Sequence, residues 1–360
     1  MQPLIKESLT RLGRRFVDGL VLVAVLTTLC ACDSGKDRQA AQSSAAATEI
    51  RVGHFPNITH GQALYARATG NYEKTIGVPV RWTTFNAGPT AIEALFAKSI
   101  DATYIGPNPA INGYLKSRGQ EFVIVAGGVS GGAGMVVRKD AGIKQAQDFH
   151  GKTIATPQLG NTQDVAARNW FAGKGYSFKE AGGDLSILPL ANPDQLSLFQ
   201  TGQIHGAWTV EPWLSRLEIE GGGDLFLDEK TLWPDGRYVT THLIIRKAFL
   251  QQQPDLARKL ITAHVEATQK INVDKARATT ILNEELKKET GKALPQNVIE
   301  RALGRVEFTW DPIAASLYKS AESAHKIGFI KQAPDLAGIY DLRLLNEVLS
   351  EKKLEAVSDK

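Results

Sequence analysis

Uncharged polar side chains and glycines gather in five short segments, each of which follows an apolar run typical of a β-strand. The segments are 55–60, 86–90, 105–109, 159–163 and 210–213. They hold hydroxyl, amide and imidazole groups but no Lys or Arg. Helical patterns follow at least the first four, and the free N–H groups of a helix N-terminus favour an anion. The segments therefore predict a binding cleft for a small anion, built from neutral donors rather than from cations.

The candidate ligand contacts are polar side chains, aromatic side chains and glycines in or beside these turns, together with two residues of a glycine-rich run. They are Asn57, Thr59, His60, Gln62, Asn86, Gly88, Gly106, Asn108, Ser130, Gly131, Asn161, Thr162, Gln163, Trp208, Glu211 and Trp213. The 160–163 loop is the strongest anion candidate, since its amides, its hydroxyl and its backbone N–H groups can all donate. A sulfonate carries only acceptor oxygens at neutral pH and therefore suits a site without acceptors.

Several of these residues also fit purely structural roles. Thr59 and Gln62 match the Thr-x-x-Gln capping box. Asn108 before Pro109 fits an N-cap followed by proline at the first helical position. The same Asn–Pro pair starts at Asn192, outside the five segments, so this pattern alone is a weak signal.

The aromatic and acidic candidates leave two interpretations open. Trp208 and Trp213 either wall the cleft and pack on an alkyl chain, or belong to the core. Glu211 either caps the helix that follows Pro212, or meets an ammonium group on a substrate such as taurine.

No catalytic or metal-binding pattern is visible in these turns. They contain no nucleophile–base set and no paired carboxylates, and the seven histidines of the chain include no pair at the four-residue spacing of a helical zinc site. Asp184 and Asp224 each follow a glycine run and are interpreted as turn residues. We therefore expect a binding protein without metal or cofactor, and not an enzyme.

The first 32 residues resemble a bacterial lipoprotein signal peptide. A basic start precedes a short apolar stretch, and small Ala31 precedes Cys32, the predicted lipidation site. Residues 33–48 predict a flexible tether to the membrane. Removing residues 1–32 takes away four basic and two acidic residues from a chain of net charge +4, and so leaves a net charge of +2. This near-neutral balance argues against nucleic acid as a partner.

Strand-like and helix-like patterns alternate along the rest of the chain, which predicts an α/β fold with mostly parallel sheets. The glycine-rich run 127–134 predicts a strand that crosses between two lobes, and a second crossing returns near residue 241. We assign 49–131 and 241–360 to lobe I, with a helical C-terminal part, and 132–240 to lobe II. Units starting at Pro89 and Pro193 suggest one helix–strand repeat in each lobe.

Taken together, these motifs resemble the substrate-binding proteins of bacterial ABC importers for alkanesulfonates, taurine and nitrate. The stretches that carry the resemblance are 53–60, 85–89, 104–109, 157–164, 211–213 and 232–236. The resemblance implies a two-lobed periplasmic binding protein fold of type II, whose two strand crossings form the hinge. It also implies a monomer that captures a small organic sulfonate and delivers it to a permease in the inner membrane.

Nitrate, bicarbonate and phosphonate remain open as ligands, and a ligand sensor remains open as a role. The same fold hosts a thiamine-pyrimidine synthase family, which relies on a cysteine-rich motif. This chain has no cysteine after Cys32, so we do not expect that chemistry.

Overall fold

The computed structural model describes residues 47–360, and eleven strands in this part of the chain form two sheets. The predicted signal peptide, Cys32 and all but the last two residues of the predicted tether lie outside the described residues. Among residues 47–360, no helix has both the length and the apolar character to cross a membrane.

The strands are β1 Ile50–His54, β2 Val80–Thr84, β3 Ala102–Ile105, β4 Phe122–Gly131, β5 Ala133–Val137, β6 Thr153–Thr156, β7 Ser186–Pro189, β8 Gly206–Val210, β9 Asp224–Asp228, β10 Val239–Arg246 and β11 Val306–Phe308. The helices are α1 Gly61–Thr69, α2 Asn71–Ile76, α3 Gly88–Phe96, α4 Pro107–Lys116, α5 Thr162–Gly173, α6 Asn192–Gln200, α7 Trp213–Ile219, α8 Lys247–Gln252, α9 Pro254–Val273, α10 Lys275–Thr290, α11 Gln296–Gly304, α12 Ala314–Lys326 and α13 Arg343–Glu351.

Each lobe is built on one sheet. The lobe I sheet has the strand order β11-β4-β10-β3-β1-β2, and the lobe II sheet has the order β7-β6-β8-β5-β9. Both sheets are mixed rather than mostly parallel. Strands β1, β2 and β3 are parallel, whereas β10 runs antiparallel to β3 and β4. Because β4 leaves lobe I and β10 returns to it, these neighbouring strands must run in opposite directions.

The suggested repeat of one helix–strand unit agrees with the topology. Strand β3 follows α3 and lies between parallel β1 and antiparallel β10. Strand β8 follows α6 and lies between parallel β6 and antiparallel β5. Tyr104 and Trp208 therefore occupy equivalent central strands, and both side chains are fully buried.

The first crossing depends on glycine, as predicted. Gly131 and Gly132 have φ values of 79° and 74°, which side chains other than glycine rarely adopt. A Cβ atom at Gly127 would lie 1.9 Å from the carbonyl oxygen of Asp311. The run thus permits both the change of direction between the sheets and the close approach of the C-terminal segment.

Three details differ from the sequence-based expectations. The single helix predicted over 61–76 is divided at Gly70, which has a φ of 63°. Asp224 opens β9 instead of lying in a turn, and β11 was not predicted. Both are edge strands of five and three residues, too short for their sequences to carry a clear periodic signal. The helical C-terminal part is confirmed from α8 to α13.

Candidate functional site

A small polar cavity lies between the carboxyl ends of strands from both lobes. Its lining is Phe55, Asn57, Thr59, His60, Asn86 and Gly106 from lobe I, Pro157, Asn161, Thr162, Gln163, Asn192 and Val210 from lobe II, and Thr240 from the returning strand β10. This polar cavity measures about 20 Å³, which is little more than the space of one water-sized group. None of the lining residues is Lys, Arg, Asp or Glu. The site therefore offers neutral donors in a very small space.

The two lobes are in contact around the polar cavity. The backbone N–H of Ile58 donates to the carbonyl oxygen of Glu211 at 3.2 Å. Gly106 lies so close to Thr162 that a Cβ atom on Gly106 would be 2.4 Å from Oγ1 of Thr162. A Cβ atom on Gly88 would likewise lie 3.2 Å from Oδ1 of Asn161. These approaches describe a closed arrangement of the cleft.

The predicted anion loop is organised from behind by Asp164. The buried Asp164 carboxylate accepts hydrogen bonds from the Gly160 N–H at 2.9 Å, from Thr156 Oγ1 at 2.8 Å and from Arg168 Nε at 3.2 Å. The Arg168 guanidinium is the ion-pair partner of Asp164 and also pairs with Glu180. This arrangement fixes the loop ahead of α5 while keeping formal charges off the cavity wall.

Donors at the start of α5 remain available to a ligand. The first-turn N–H groups of this helix have no acceptor within the helix. Oγ1 of Thr162 is buried and has no hydrogen-bond partner in residues 47–360. Nδ2 of Asn161 donates to Oε1 of Gln163 at 3.2 Å, which leaves the Gln163 amide nitrogen as a donor. The predicted anion loop thus presents hydroxyl, amide and backbone donors together.

His60 is a neutral donor in this geometry. Its Nδ1 accepts the Phe55 N–H at 3.3 Å, so in the neutral ring the proton lies on Nε2. Burial holds the pKa of His60 well below its ordinary value, and nearby His54 acts in the same direction. His60 therefore lines the cavity without adding a positive charge.

Glu211 serves as a structural group. Its carboxylate accepts hydrogen bonds from the N–H and Oγ of Ser215, at 3.1 and 2.9 Å, and from Arg305 at 3.1 Å. Burial raises the pKa of Glu211 to about 7, although Arg305 and Ser215 oppose the rise. The side chain is not part of the polar cavity lining. Glu211 thus accepts a first-turn N–H of α7 from one position before the N-cap Pro212, and forms an ion pair with the C-terminal part of lobe I.

Among residues 47–360, no group of three or more His, Cys, Asp or Glu side chains is arranged to hold a metal ion. The uncharged donors at the ends of the strands suit a small acceptor-bearing molecule.

The sequence model of the NMT1-like family matches residues 43–283, about two thirds of the chain. The chain belongs to the NMT1-like family. A Bacillus subtilis (strain 168) protein that is named for binding aliphatic sulfonates is 23% identical to it over 344 residues, which cover 92% of this chain and 96% of the relative.

Two solved structures share the fold of this NMT1-like protein. The alkanesulfonate-binding protein SsuA from Xanthomonas axonopodis pv. citri, bound to MOPS, aligns with a TM-score of 0.68 and 19% identity, over 83% of this chain and 99% of that one. The nitrate-binding protein NrtA from Synechocystis PCC 6803 aligns with a TM-score of 0.73 and 17% identity, over 84% and 89%. The two-lobed periplasmic binding protein fold is confirmed.

Two candidate contacts of this NMT1-like protein lie away from the polar cavity. Nε2 of Gln62 donates to the carbonyl oxygen of Gly128 at 2.6 Å and to Thr268 Oγ1 at 3.3 Å, inside lobe I. The predicted capping box is wrong, because Thr59 lies within a 3₁₀ turn and makes no side-chain cap.

Trp208 does not wall the polar cavity either. It is fully buried in lobe II, where its Nε1 donates to Glu229 Oε2 at 2.8 Å.

The remaining candidates border the cleft without lining the polar cavity. Ser130 and Gly131 lie at the first crossing, where the Gly131 carbonyl oxygen accepts from Thr240 Oγ1 at 2.6 Å. Gly88 approaches Asn161 from lobe I. Asn108 is not an N-cap, because α4 begins at Pro107 and Asn108 makes no cap bond. These positions are part of the frame that brings the lobes together.

Sequence reasoning missed Asn192, Thr240 and Asp164. Oδ1 of Asn192 accepts from Gln195 Nε2 at 3.3 Å and from Thr209 Oγ1 at 3.2 Å, which leaves its Nδ2 free to donate toward the cavity. One positional signal was present, because Asn192 follows a parallel strand in the same way as the other turns. Thr240 carried no comparable signal, since it lies inside β10.

Two larger cavities flank the polar cavity. The first, here called the vestibule, measures about 440 Å³ and shares Asn57, Asn86 and Asn192 with it. The second, here called the aromatic cavity, measures about 250 Å³ and shares Thr162. The vestibule is lined in addition by Pro56, Thr84, Pro193, Trp213, Arg216, Glu220, Glu289, Thr290, Lys292, Ala293 and Leu294. The aromatic cavity is lined in addition by Asn108, Val165, Ala166, Asn169, Trp170, Glu229, Leu232, Trp233, Lys319, Ser320 and Ser323.

Proposed function

We propose that this protein is the extracytoplasmic substrate-binding component of an ABC importer for small organic sulfonates. The observation that supports this proposal most directly is that uncharged side chains with hydrogen-bond donors line the polar cavity at the junction of the two lobes. The ligand head lies among these donors, the lobes close on it, and the closed form docks on the permease. Ligand must bind the closed form more tightly than the open form for this sequence of steps. The names of the Bacillus and Xanthomonas proteins support the same ligand class.

The donor set favours a sulfonate over the other oxyanions considered. A phosphonate often carries a proton and would use an acceptor, or would need more positive charge, and the cavity lining includes no cation. Nitrate has no organic group and would leave both flanking cavities without a role. An organic sulfonate would use both kinds of space, with its charged head at the polar cavity and its organic group in a flanking cavity.

Taurine is a weaker candidate than an uncharged organic sulfonate. Its ammonium group would need a carboxylate, and Glu211 is already bound by Ser215 and Arg305. The vestibule contains Glu289, but this side chain pairs with His54 and Arg67. We therefore expect taurine to bind less tightly than an alkanesulfonate of similar size.

We propose a binding role and not catalysis. Nδ1 of His60 is occupied by the Phe55 N–H and Nε2 carries the proton, so the neutral ring has no free lone pair to act as a base. The buried hydroxyl of Thr162 has no hydrogen-bond partner among the described residues, which leaves it without an activating base. These groups are suited to donate hydrogen bonds to a bound anion.

Calorimetric titration tests the ligand class. The full chain, purified in detergent and refolded to remove carried ligand, would be titrated with methanesulfonate, butanesulfonate, taurine, nitrate and methylphosphonate. We expect the sulfonates to bind, and Thr162→Val to weaken them about tenfold through loss of a donor to a charged group. Thr280→Val, at an exposed position of α10, is the matched control. Binding of nitrate or phosphonate alone would refute the sulfonate assignment.

We also propose that the protein is a monomer anchored to the membrane through lipid on Cys32. Metabolic labelling with a radioactive fatty acid tests the anchor. We expect Cys32→Ala to lose the label and to leave the membrane fraction, whereas Cys30→Ala keeps both. Labelling that persists in Cys32→Ala would contradict the assignment.

A further inference from the structure

Two deeply buried polar side chains next to the aromatic cavity have unpartnered atoms. Nδ2 of Asn108 and Oγ1 of Thr162 have no hydrogen-bond partner within residues 47–360, and the two residues are 2% and 7% exposed. Trp233 Nε1 lies beside the Glu229 carboxyl group and acts to lower its pKa. Buried polar groups are almost always bonded, so the contents of this cavity should supply their partners.

The walls of the aromatic cavity suit a flat apolar group. Val165, Ala166 and Trp170 of α5 form one side, and Leu232 and Trp233 form another. An engineered apolar cavity of about 150 Å³ is known to hold a benzene molecule. The aromatic cavity, at about 250 Å³, therefore has room for one aromatic ring and a substituent.

Thr162 connects this space to the polar cavity. Its side chain lines both, and Gly106 packs directly against its Oγ1 from lobe I. A ligand bound as the lobes close can therefore have its head on one side of Thr162 and its body on the other. We propose that the ligand is an arenesulfonate, with the sulfonate in the polar cavity and the ring in the aromatic cavity. This inference rests on the proposed function and assigns its substrate class.

The polar atoms that line the aromatic cavity indicate which substituent the bound ring carries. Asn108 Nδ2 is a donor and needs an acceptor. Glu229 Oε2 already accepts from Trp208, but the carboxyl group lines the cavity and offers a further acceptor. A ring hydroxyl meets both needs, because its oxygen accepts and its proton donates. The ligand is thus a hydroxylated arenesulfonate in preference to an unsubstituted one.

The vestibule is a poorer place for the ring. Its lining includes four charged side chains, Arg216, Glu220, Glu289 and Lys292, whereas the aromatic cavity has two, Glu229 and Lys319. Charged groups retain water, so an aromatic ring removes less apolar surface from water there than between Trp170 and Trp233. The vestibule instead provides the entrance through which ligand reaches the polar cavity.

A pair of identical substitutions distinguishes the two spaces. Ala166→Phe fills the aromatic cavity, and Ala293→Phe places the same side chain in the vestibule. In the unmodified full chain we expect benzenesulfonate to bind at least about tenfold more tightly than methanesulfonate, from burial of the ring. We expect 4-hydroxybenzenesulfonate to gain about another fivefold from its hydrogen bonds.

Ala166→Phe should remove the preference for both aromatic ligands and keep methanesulfonate affinity within about twofold, whereas Ala293→Phe should preserve the preference. Ser323→Phe fills the aromatic cavity from α12 and serves as a second variant if Ala166→Phe loses methanesulfonate as well.

The inference would be overturned if Ala293→Phe lost the preference for aromatic ligands while Ala166→Phe kept it. Wild-type binding of benzenesulfonate no tighter than that of butanesulfonate would also overturn it, although the proposed function would then survive. Failure of methanesulfonate and every other sulfonate to bind would refute the proposed function itself.

Discussion

Nε1 of Trp213 donates a hydrogen bond to Oδ1 of Asn57 across the junction of the lobes, at 3.0 Å. The residues are 156 positions apart in the chain, and both side chains are buried. Asn57 belongs to the turn after β1 in lobe I, and Trp213 begins α7 in lobe II. The bond therefore depends on the closed arrangement, and an open cleft would expose both groups to water.

We expect Trp213→Phe to weaken sulfonate binding about fivefold, because a buried hydrogen bond contributes about 1 kcal/mol and this one forms only on closure. Titration with methanesulfonate measures the change. Trp82→Phe is the matched control, since the buried Trp82 N–H has no hydrogen-bond partner in the described part of the chain. Equal losses in the two variants would show that the Asn57 bond does not favour closure.

Gly106 should be required for closure and not for folding. Its φ of −73° suits any residue, but an added Cβ atom would lie 2.4 Å from Thr162 Oγ1. We expect Gly106→Ala to prevent ligand-induced compaction in solution scattering and to leave the free energy of unfolding nearly unchanged. Gly173→Ala, where no atom lies within 4 Å of the added Cβ, is the control.

The double variant Gly106→Ala with Thr162→Ala tests the same contact from the other side. Removing Oγ1 eliminates the clash, so we expect compaction to return while affinity stays low through loss of the hydroxyl donor. Compaction that is normal in Gly106→Ala alone would refute the steric argument.

The turns that form the site could be predicted from sequence because strand and helix periodicities mark where each strand ends. In an α/β sheet that point is also where ligands bind. Asn57, His60, Asn86 and the 161–163 residues were identified in this way, and the polar cavity contains all of them. Asn192 follows β7 at the same kind of position, so the same rule applied without exception would have included it.

Side-chain direction could not be predicted in the same way. Helices cover both faces of the lobe II sheet, so the alternation within β8 does not indicate which face is nearer to the cleft. Trp208 lies inside that strand and points into the core, whereas Trp213 lies beyond its end and borders the vestibule. Gln62 was misplaced because the 3₁₀ turn before α1 shifts the start of the helix, a local geometry with no sequence signature here.

His60 should bind ligand as a neutral donor. Burial holds its pKa well below the ordinary value, so the ring remains uncharged on both sides of neutrality. We expect methanesulfonate affinity to be constant between about pH 6 and pH 8, and His60→Leu to lower it about tenfold at every pH in that range. Titration at several pH values provides the measurement. Affinity that falls steadily as the pH rises through this range would mean that His60 binds as an imidazolium ion.

Asp164 should stabilise the protein as well as the anion loop. Asp164→Asn leaves the Arg168 guanidinium with a weaker buried partner and disturbs the bond to the Gly160 N–H. We expect the free energy of unfolding in urea to fall by about 3 kcal/mol, as for other broken buried ion pairs. Asp140→Asn is the control, because its pair with Arg138 is exposed and its loss should change stability little. Similar effects of the two changes would contradict the role of Asp164.

Glu229 should make stability fall as the pH rises. Burial raises its pKa to about 7, the N–H groups of Trp208 and Trp233 oppose the rise, and neighbouring Asp228 adds to it. Because the folded state holds the proton more tightly than the unfolded state, the stabilisation is fully present below the unfolded pKa and is lost as the pH passes about 7. Between about pH 5 and pH 8 we expect the free energy of unfolding to fall by roughly 3 kcal/mol more in the wild type than in Glu229→Gln. The Gln side chain keeps an acceptor for Trp208 and does not titrate. Urea unfolding of both proteins at several pH values measures the change. A difference in free energy of unfolding that stays constant across this pH range would exclude a protonated Glu229.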